Sequence, residues 1–181
     1  MNVNVIIDTS GSMSSMAKIN IAFTLVKFCG NLSAIHKEPF SCINFIYYLL
    51  GNSDEPVLCK DNEINVSGVT ELITLEKLFQ RTGKDELNFL FLSDGRFPKE
   101  DVSKFLRISG NYPDMRFVPV AVGADADEYI LKEISTYSKI FRPEDIMQAV
   151  EIFLSGSDKC PASADSIVPS VQSDVEGAWD A

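Results

Sequence analysis

The chain has 181 residues, 45% of them hydrophobic, and a formal charge of -10. That length allows one domain with a full core and a short appendage, and that composition excludes a wholly disordered chain. The negative balance argues against a nucleic-acid surface, which needs a basic patch; it is compatible with cation binding or a basic partner, although solubility alone accounts for such a charge.

In chain order, Met1 runs directly into an apolar strand over residues 3 to 7, which polar Asp8 ends. No basic start, apolar stretch and small-residue cleavage site stands there, and no apolar run approaches a membrane span. Read with Met1 as the start, the protein is expected to be cytoplasmic and to make no use of a membrane. Residues 14 to 32 carry Met16, Ile19, Ala22, Phe23, Val26 and Leu32 at the spacing of a long helix. Residues 41 to 49 (SCINFIYYL) read as a strand, and two short strands follow at 57–59 and 63–66 around a turn at Asp61 and Asn62. A helix is predicted over 71–81, with Leu72, Leu75, Leu78 and Phe79 on one side. Residues 87 to 92 (LNFLFL) are almost wholly apolar, as a central parallel strand covered on both faces must be. Pro98 opens the next helix, which carries Val102, Phe105, Leu106 and Ile108 and ends near Gly110. Residues 115 to 122 (MRFVPVAV) form a further strand; Pro119 cannot donate a ladder bond, so an irregularity or a peripheral place is expected there. A short helix over 127–136, a small strand over 139–141 and a helix opened by Pro143, carrying Ile146, Met147, Val150 and Phe153 or Leu154, complete the pattern.

Strands separated by helices of this length imply right-handed crossovers. The predicted fold is α/β, doubly wound and Rossmann-like, a mostly parallel sheet with helices on both faces and one short antiparallel edge strand. Such sheets bind ligands beyond the C-terminal ends of their central strands. The domain is expected over residues 1–154. Residues 155–181 are rich in Ser, Ala, Asp and Pro and read as a polar, flexible tail, in which Trp179 is the exception and a candidate for docking on the domain or a partner. The four cysteines show no metal-binding spacing, and Cys29 and Cys42 read as reduced core residues.

Three polar segments adjoin these strands and helices. Asp8, Thr9, Ser10, Gly11 and Ser12 follow the first strand, Thr70 precedes a helix, and Asp94 follows the apolar strand. Hydroxyls of Ser10, Ser12 and Thr70 with carboxylates of Asp8 and Asp94 suit a small hard cation, magnesium first, with manganese or calcium as alternatives. No cysteine or histidine is near, which disfavours zinc and copper. With so few carboxylates the ion stays electrophilic and keeps a position open for an acidic side chain. Taken singly, each segment also reads as a helix cap or a turn. The enzyme signatures are missing: no GxxxxGK[ST], no GxSxG, no GxGxxG, and no second acid two residues after Asp8. The single histidine, His36, lies far from these segments in the predicted order. The rival reading is a phosphate or nucleotide cradle over residues 9–14, using backbone N–H groups and the following helix N-terminus.

The run VNVIIDTSGSM resembles the first strand and loop of von Willebrand factor A (VWA) domains. Their metal-ion-dependent adhesion site (MIDAS) combines a DxSxS loop, a threonine in a second loop and an aspartate in a third. Asp8, Ser10 and Ser12 match the first loop, Thr70 in SGVTEL the second, and Asp94 in FLFLSDG the third. The ending KIFRPEDIMQAVEIFL is similar to the last strand and helix of the family. The resemblance implies a non-enzymatic module that binds another protein. Ser10, Ser12 and Thr70 would contact the ion, Asp8 and Asp94 would hold it directly or through water, and a partner's Asp or Glu would complete it. Among bacterial members the chain looks most like the TerY-like proteins associated with tellurium resistance, stress response and defence.

Overall fold

The computed structural model describes residues 1–35, 39–59, 66, 68–83 and 87–155. Its frame is five strands: β1 (Asn2–Asp8), β2 (Asn44–Leu50), β3 (Val57–Leu58), β4 (Asn88–Ser93) and β5 (Arg116–Ala121). They lie in the order β3-β2-β1-β4-β5. The β1–β2, β1–β4 and β4–β5 pairs are parallel, and β2–β3 is antiparallel. Five helices connect or follow them: α1 (Lys18–Ile35), α2 (Leu75–Arg81), α3 (Lys99–Ser109), α4 (Glu128–Ile134) and α5 (Ile146–Leu154). The doubly wound, mostly parallel sheet with a short antiparallel edge strand is therefore the observed architecture.

Strand alternation sorts the core into two layers. Val3, Val5 and Ile7 of β1 and Leu90 and Leu92 of β4 pack with α1 and α5. Ile6, Phe89 and Phe91 point the other way, against α2, α3 and α4. That second layer is aromatic: the rings of Phe79 and Phe89 are 4.9 Å apart and those of Phe105 and Phe117 are 5.0 Å apart. Each such buried ring stabilises the fold by about 2 kcal/mol through area removed from water.

Pro119 has the peripheral place expected of it. β5 ends the ladder, and the N–H groups two residues either side of Pro119 turn away from β4: Phe117 donates to Thr136 and Ala121 to the Phe141 carbonyl. A missing donor at 119 removes no bond to β4. The strand expected over 139–141 is reduced to one bridge between Val120 and Phe141. The strand at 57–59 is two residues long, and 63–65 lie outside the described residues, as do His36 and the tail with Trp179.

Other boundaries moved. The first helix begins at Lys18, not at 14. Residues Gly11–Ser14 form a 3-10 turn, and Met16 and Ala17 take positive φ of 52° and 55°. Met16, expected on the apolar helix face, is 71% exposed. Pro98 sits just outside α3, and β2 starts at Asn44 after a 3-10 turn over Phe40–Cys42. Cys29 is a buried free thiol as expected, whereas Cys42 is disulfide-bonded, which corrects the expectation that it is reduced. No helix among the described residues is long and apolar enough to cross a membrane.

Candidate metal centre

From β1 the chain crosses to β2 on one side, and it returns to β4 on the other. The switch point between β1 and β4 is where an open α/β sheet leaves a crevice. Asp8 is the last residue of β1, and Asp94 follows the last residue of β4. Both are completely buried.

Hydrogen bonds fix the first loop. Asp8 Oδ1 accepts the Ser10 N–H at 2.8 Å, and Asp8 Oδ2 accepts the Ser93 hydroxyl at 2.7 Å. Ser93 Oγ in turn accepts the Gly95 N–H at 2.9 Å, which ties the third loop to the first. The hydroxyl oxygens of Ser10 and Ser12 lie 3.1 Å apart. Gly11 donates its N–H to the Gly68 carbonyl at 2.9 Å, which brings the second loop over the first. Gly68 has φ +81°, and a Cβ there would run into the Asn52 side-chain amide. Only glycine fits that approach. Asn52 Oδ1 accepts the Val69 N–H at 3.1 Å, and the Val69 side chain stays 70% exposed. Thr70 is buried; its hydroxyl and that of Thr9 both donate to the Leu50 carbonyl, at 3.3 and 2.9 Å.

The fold thus joins Asp8, Ser10 and Ser12 directly. Thr70 reaches them through the Gly68–Gly11 bond and the shared Leu50 carbonyl. Asp94 reaches Ser12 through a residue the sequence reading did not select: Lys18. Its Nζ donates to Asp94 Oδ2 at 2.8 Å and to the Ser12 carbonyl at 3.4 Å, and lies 2.9 Å from both carboxylate oxygens of Asp125. The Lys18 side chain is wholly buried. Arg96 pairs with Asp125 as well, and its Nε is 3.9 Å from Asp94 Oδ2.

Burial pushes the Asp8 carboxyl above its usual range, against the Ser93 and Ser10 donors, and the charge of Asp94 adds to the rise. Burial pulls the Lys18 ammonium down, but Asp94 and Asp125 outweigh it and hold it above its ordinary value. Asp125 is held below the usual carboxylate range by Lys18 first, with Arg96 adding to it. Lys18 thus sits between the carboxylates of Asp94 and Asp125, paired with both. Its signal was present in the sequence: Lys18 stands four residues before Ala22, seven before Leu25 and eleven before Cys29, on the buried stripe of α1. Ser93 and Asp125 carry no such periodicity.

Among the described residues no three His, Cys, Asp or Glu side chains form a metal-holding group. The donors here are two carboxylates and three hydroxyls, a hard oxygen set. Adjacent ligands on an octahedral ion with bonds of about 2.1 Å lie about 3 Å apart. The Ser10–Ser12 separation of 3.1 Å fits that spacing. The rival anion cradle is less well formed. Thr9 spends its hydroxyl on Leu50, Ser14 turns its own onto the Gly11 carbonyl, and the helix N-terminus begins only at Lys18.

No protein-family model matches the chain, and no curated protein matches it. Among solved structures, proximal thread matrix protein 1 from the mussel byssus superposes with a TM-score of 0.56 at 12% identity, over 83% of this chain and 46% of that one. The same protein with a zinc-occupied MIDAS motif gives 0.53 at 11% identity, over 83% and 46%. The VWA domain of SpRpn10 gives 0.52 at 13% identity, over 91% of this chain and 98% of that one. This chain spans less than half of the mussel protein and nearly the whole of the SpRpn10 domain. What these likenesses carry is the architecture: five strands, four of them parallel, between two layers of helices, folded as VWA domains fold.

Proposed function

We propose that this chain is a metal-dependent protein-binding module. Asp8, Ser10, Ser12, Thr70 and Asp94 hold a divalent ion, magnesium in the cell, and a partner protein supplies an Asp or Glu carboxylate as the last ligand. One observation carries the reading: three loops at the switch point bring two buried carboxylates together with the Ser10 and Ser12 hydroxyls, 3.1 Å apart. The zinc-occupied MIDAS motif of a protein with this fold supports it. The ion would supply an electrophilic centre for the incoming carboxylate. Ser12 is only partly buried and Gly11 is exposed, so the approach is from the loop side. The module is non-enzymatic in this reading, because its hydroxyls and carboxylates are occupied in holding one another and the ion. The same reading extends to bacterial TerY-like proteins, which this chain resembles, and to a stress-response or defence setting.

The test is calorimetric titration of the metal-stripped chain with magnesium and manganese, with and without acetate as a stand-in carboxylate. One saturable site that disappears in Asp8→Ala is the expected result. No heat and no rise in melting temperature for the parent, in either buffer, overturns the reading.

A further inference from the structure

We propose that Lys18 is a tethered cation that holds Asp94 while no metal is bound and passes over to Asp125 when a divalent ion takes Asp94. Metal binding is then an exchange of an internal cation for an external one. This inference rests on the metal-site reading above.

The placement of Lys18 is built. Its side chain has no exposure, and a buried ammonium persists only where charges and hydrogen bonds replace water. Asp94, Asp125 and the Ser12 carbonyl supply all of these. Gly123 makes room for the stem: it has φ +100°, and a Cβ there would come within 2.8 Å of Lys18 Cε and 3.0 Å of Cγ. Met16 and Ala17, just before it, both take left-handed backbone, a region that residues with a Cβ seldom occupy and that persists only where surrounding contacts hold it. That turn brings Lys18 onto the buried stripe of α1 and aims it at the loops.

The two carboxylates around the ammonium are unequal. Asp94 is completely buried and meets Arg96 only at 3.9 Å, whereas the Asp125 side chain is 26% exposed and pairs closely with Arg96. Asp125 can keep the ammonium when Asp94 is given up. Asp94 is poorly held without a cation in contact, because it stands buried beside Asp8 with only Arg96, 3.9 Å away, to offset its charge. An ammonium a few ångströms from the ion repels it, so the lysine weakens metal binding in the free protein. A partner carboxylate offsets the excess positive charge. Metal and partner therefore strengthen each other, and the coupling is reciprocal.

The experiment is magnesium titration of the metal-stripped full chain, with melting temperatures with and without the ion, for the parent, Lys18→Met, Asp125→Asn, the double variant and Asp8→Ala. Lys18→Met is expected to bind magnesium at least about tenfold more tightly than the parent. It should also start from a lower metal-free melting temperature and gain more on adding the ion. Asp125→Asn should bind more weakly, and the double variant more tightly than Asp125→Asn alone. Parent-like or weaker binding by Lys18→Met, with binding abolished in Asp8→Ala, overturns the exchange and leaves the metal site standing. Absence of binding in every variant overturns the metal site itself. Where Lys18→Met does not fold, Asp125→Asn decides, and parent-like or tighter binding by it overturns the exchange.

Discussion

Asp8 and Asp94 close neighbouring parallel strands, and both are shut off from solvent, yet they are held by opposite means. Asp8 is satisfied by neutral donors, the Ser10 N–H and the Ser93 hydroxyl. Asp94 is satisfied mainly by a cation, Lys18, with a 3.3 Å bond from the Arg96 N–H. Neutral donors point an anion without cancelling its charge, so Asp8 stays an attractor for a metal ion. A lysine cancels the charge and can move away from it. The two strand ends thus look alike in composition and differ in what they can release. Asp8 is a fixed post and Asp94 an exchangeable one.

The hardest blow to this contrast is Asp94→Ala. It leaves a wholly buried ammonium with Asp125 as its remaining anion, and breaking a buried ion pair from one side costs about 3 kcal/mol or more. Urea unfolding of the metal-free chain should show that loss, and adding Lys18→Met should recover part of it by removing the stranded charge. Loss of the same size in both variants would mean that Asp94 is held by packing and not by charge.

Ser93→Ala tests the other post. It removes one donor to Asp8 and the acceptor of the Gly95 N–H, so the first and third loops lose their link. A hydrogen bond to a charged group contributes about 2 kcal/mol, and the same unfolding measurement should read a loss of that order, smaller than for Asp94→Ala. Lys18→Met should not rescue it, since no cation is involved. Rescue would erase the distinction between the two carboxylates.

Much of this was legible in the sequence, for identifiable reasons. A fully apolar run such as residues 89–92 has few alternatives to a central strand, and a DxSxS loop directly after an apolar strand places three polar side chains by backbone geometry alone. The start of α1 is not legible, because Met16 fits a helical period and periodicity is blind to left-handed backbone at Met16 and Ala17. Lys18 is legible by period, which matches Ala22, Leu25 and Cys29, but its residue type argues for the surface. Asp125 was not legible, since its role follows from the packing of α1 against the loop after β5 and leaves no local pattern.

The second loop offers a third way of holding a carboxylate, and the smallest predicted effect. Asp101, buried near the start of α3, accepts the Leu72 N–H at 2.6 Å and so clamps the chain two residues after Thr70. Burial holds its carboxyl above the ordinary 3.8, against the N–H groups of Leu72 and Ile73, while the charge of Glu71 pushes it further up. Asp101→Ala should lower stability by about 1 kcal/mol, as loss of a cap does, and Asp101→Asn by less, because its amide oxygen still accepts. The sign of the pH dependence separates the two contributions. With the folded value raised, the folded state binds the proton more readily than the unfolded state. The stability linked to this group is therefore present below pH 3.8 and is lost as pH rises through the folded value. The parent should gain on Asp101→Asn as pH falls through that window, read as the difference between their unfolding midpoints. A difference that stays flat with pH would mean that the clamp works through shape alone, and that the Thr70 loop, unlike either strand end, owes nothing to charge.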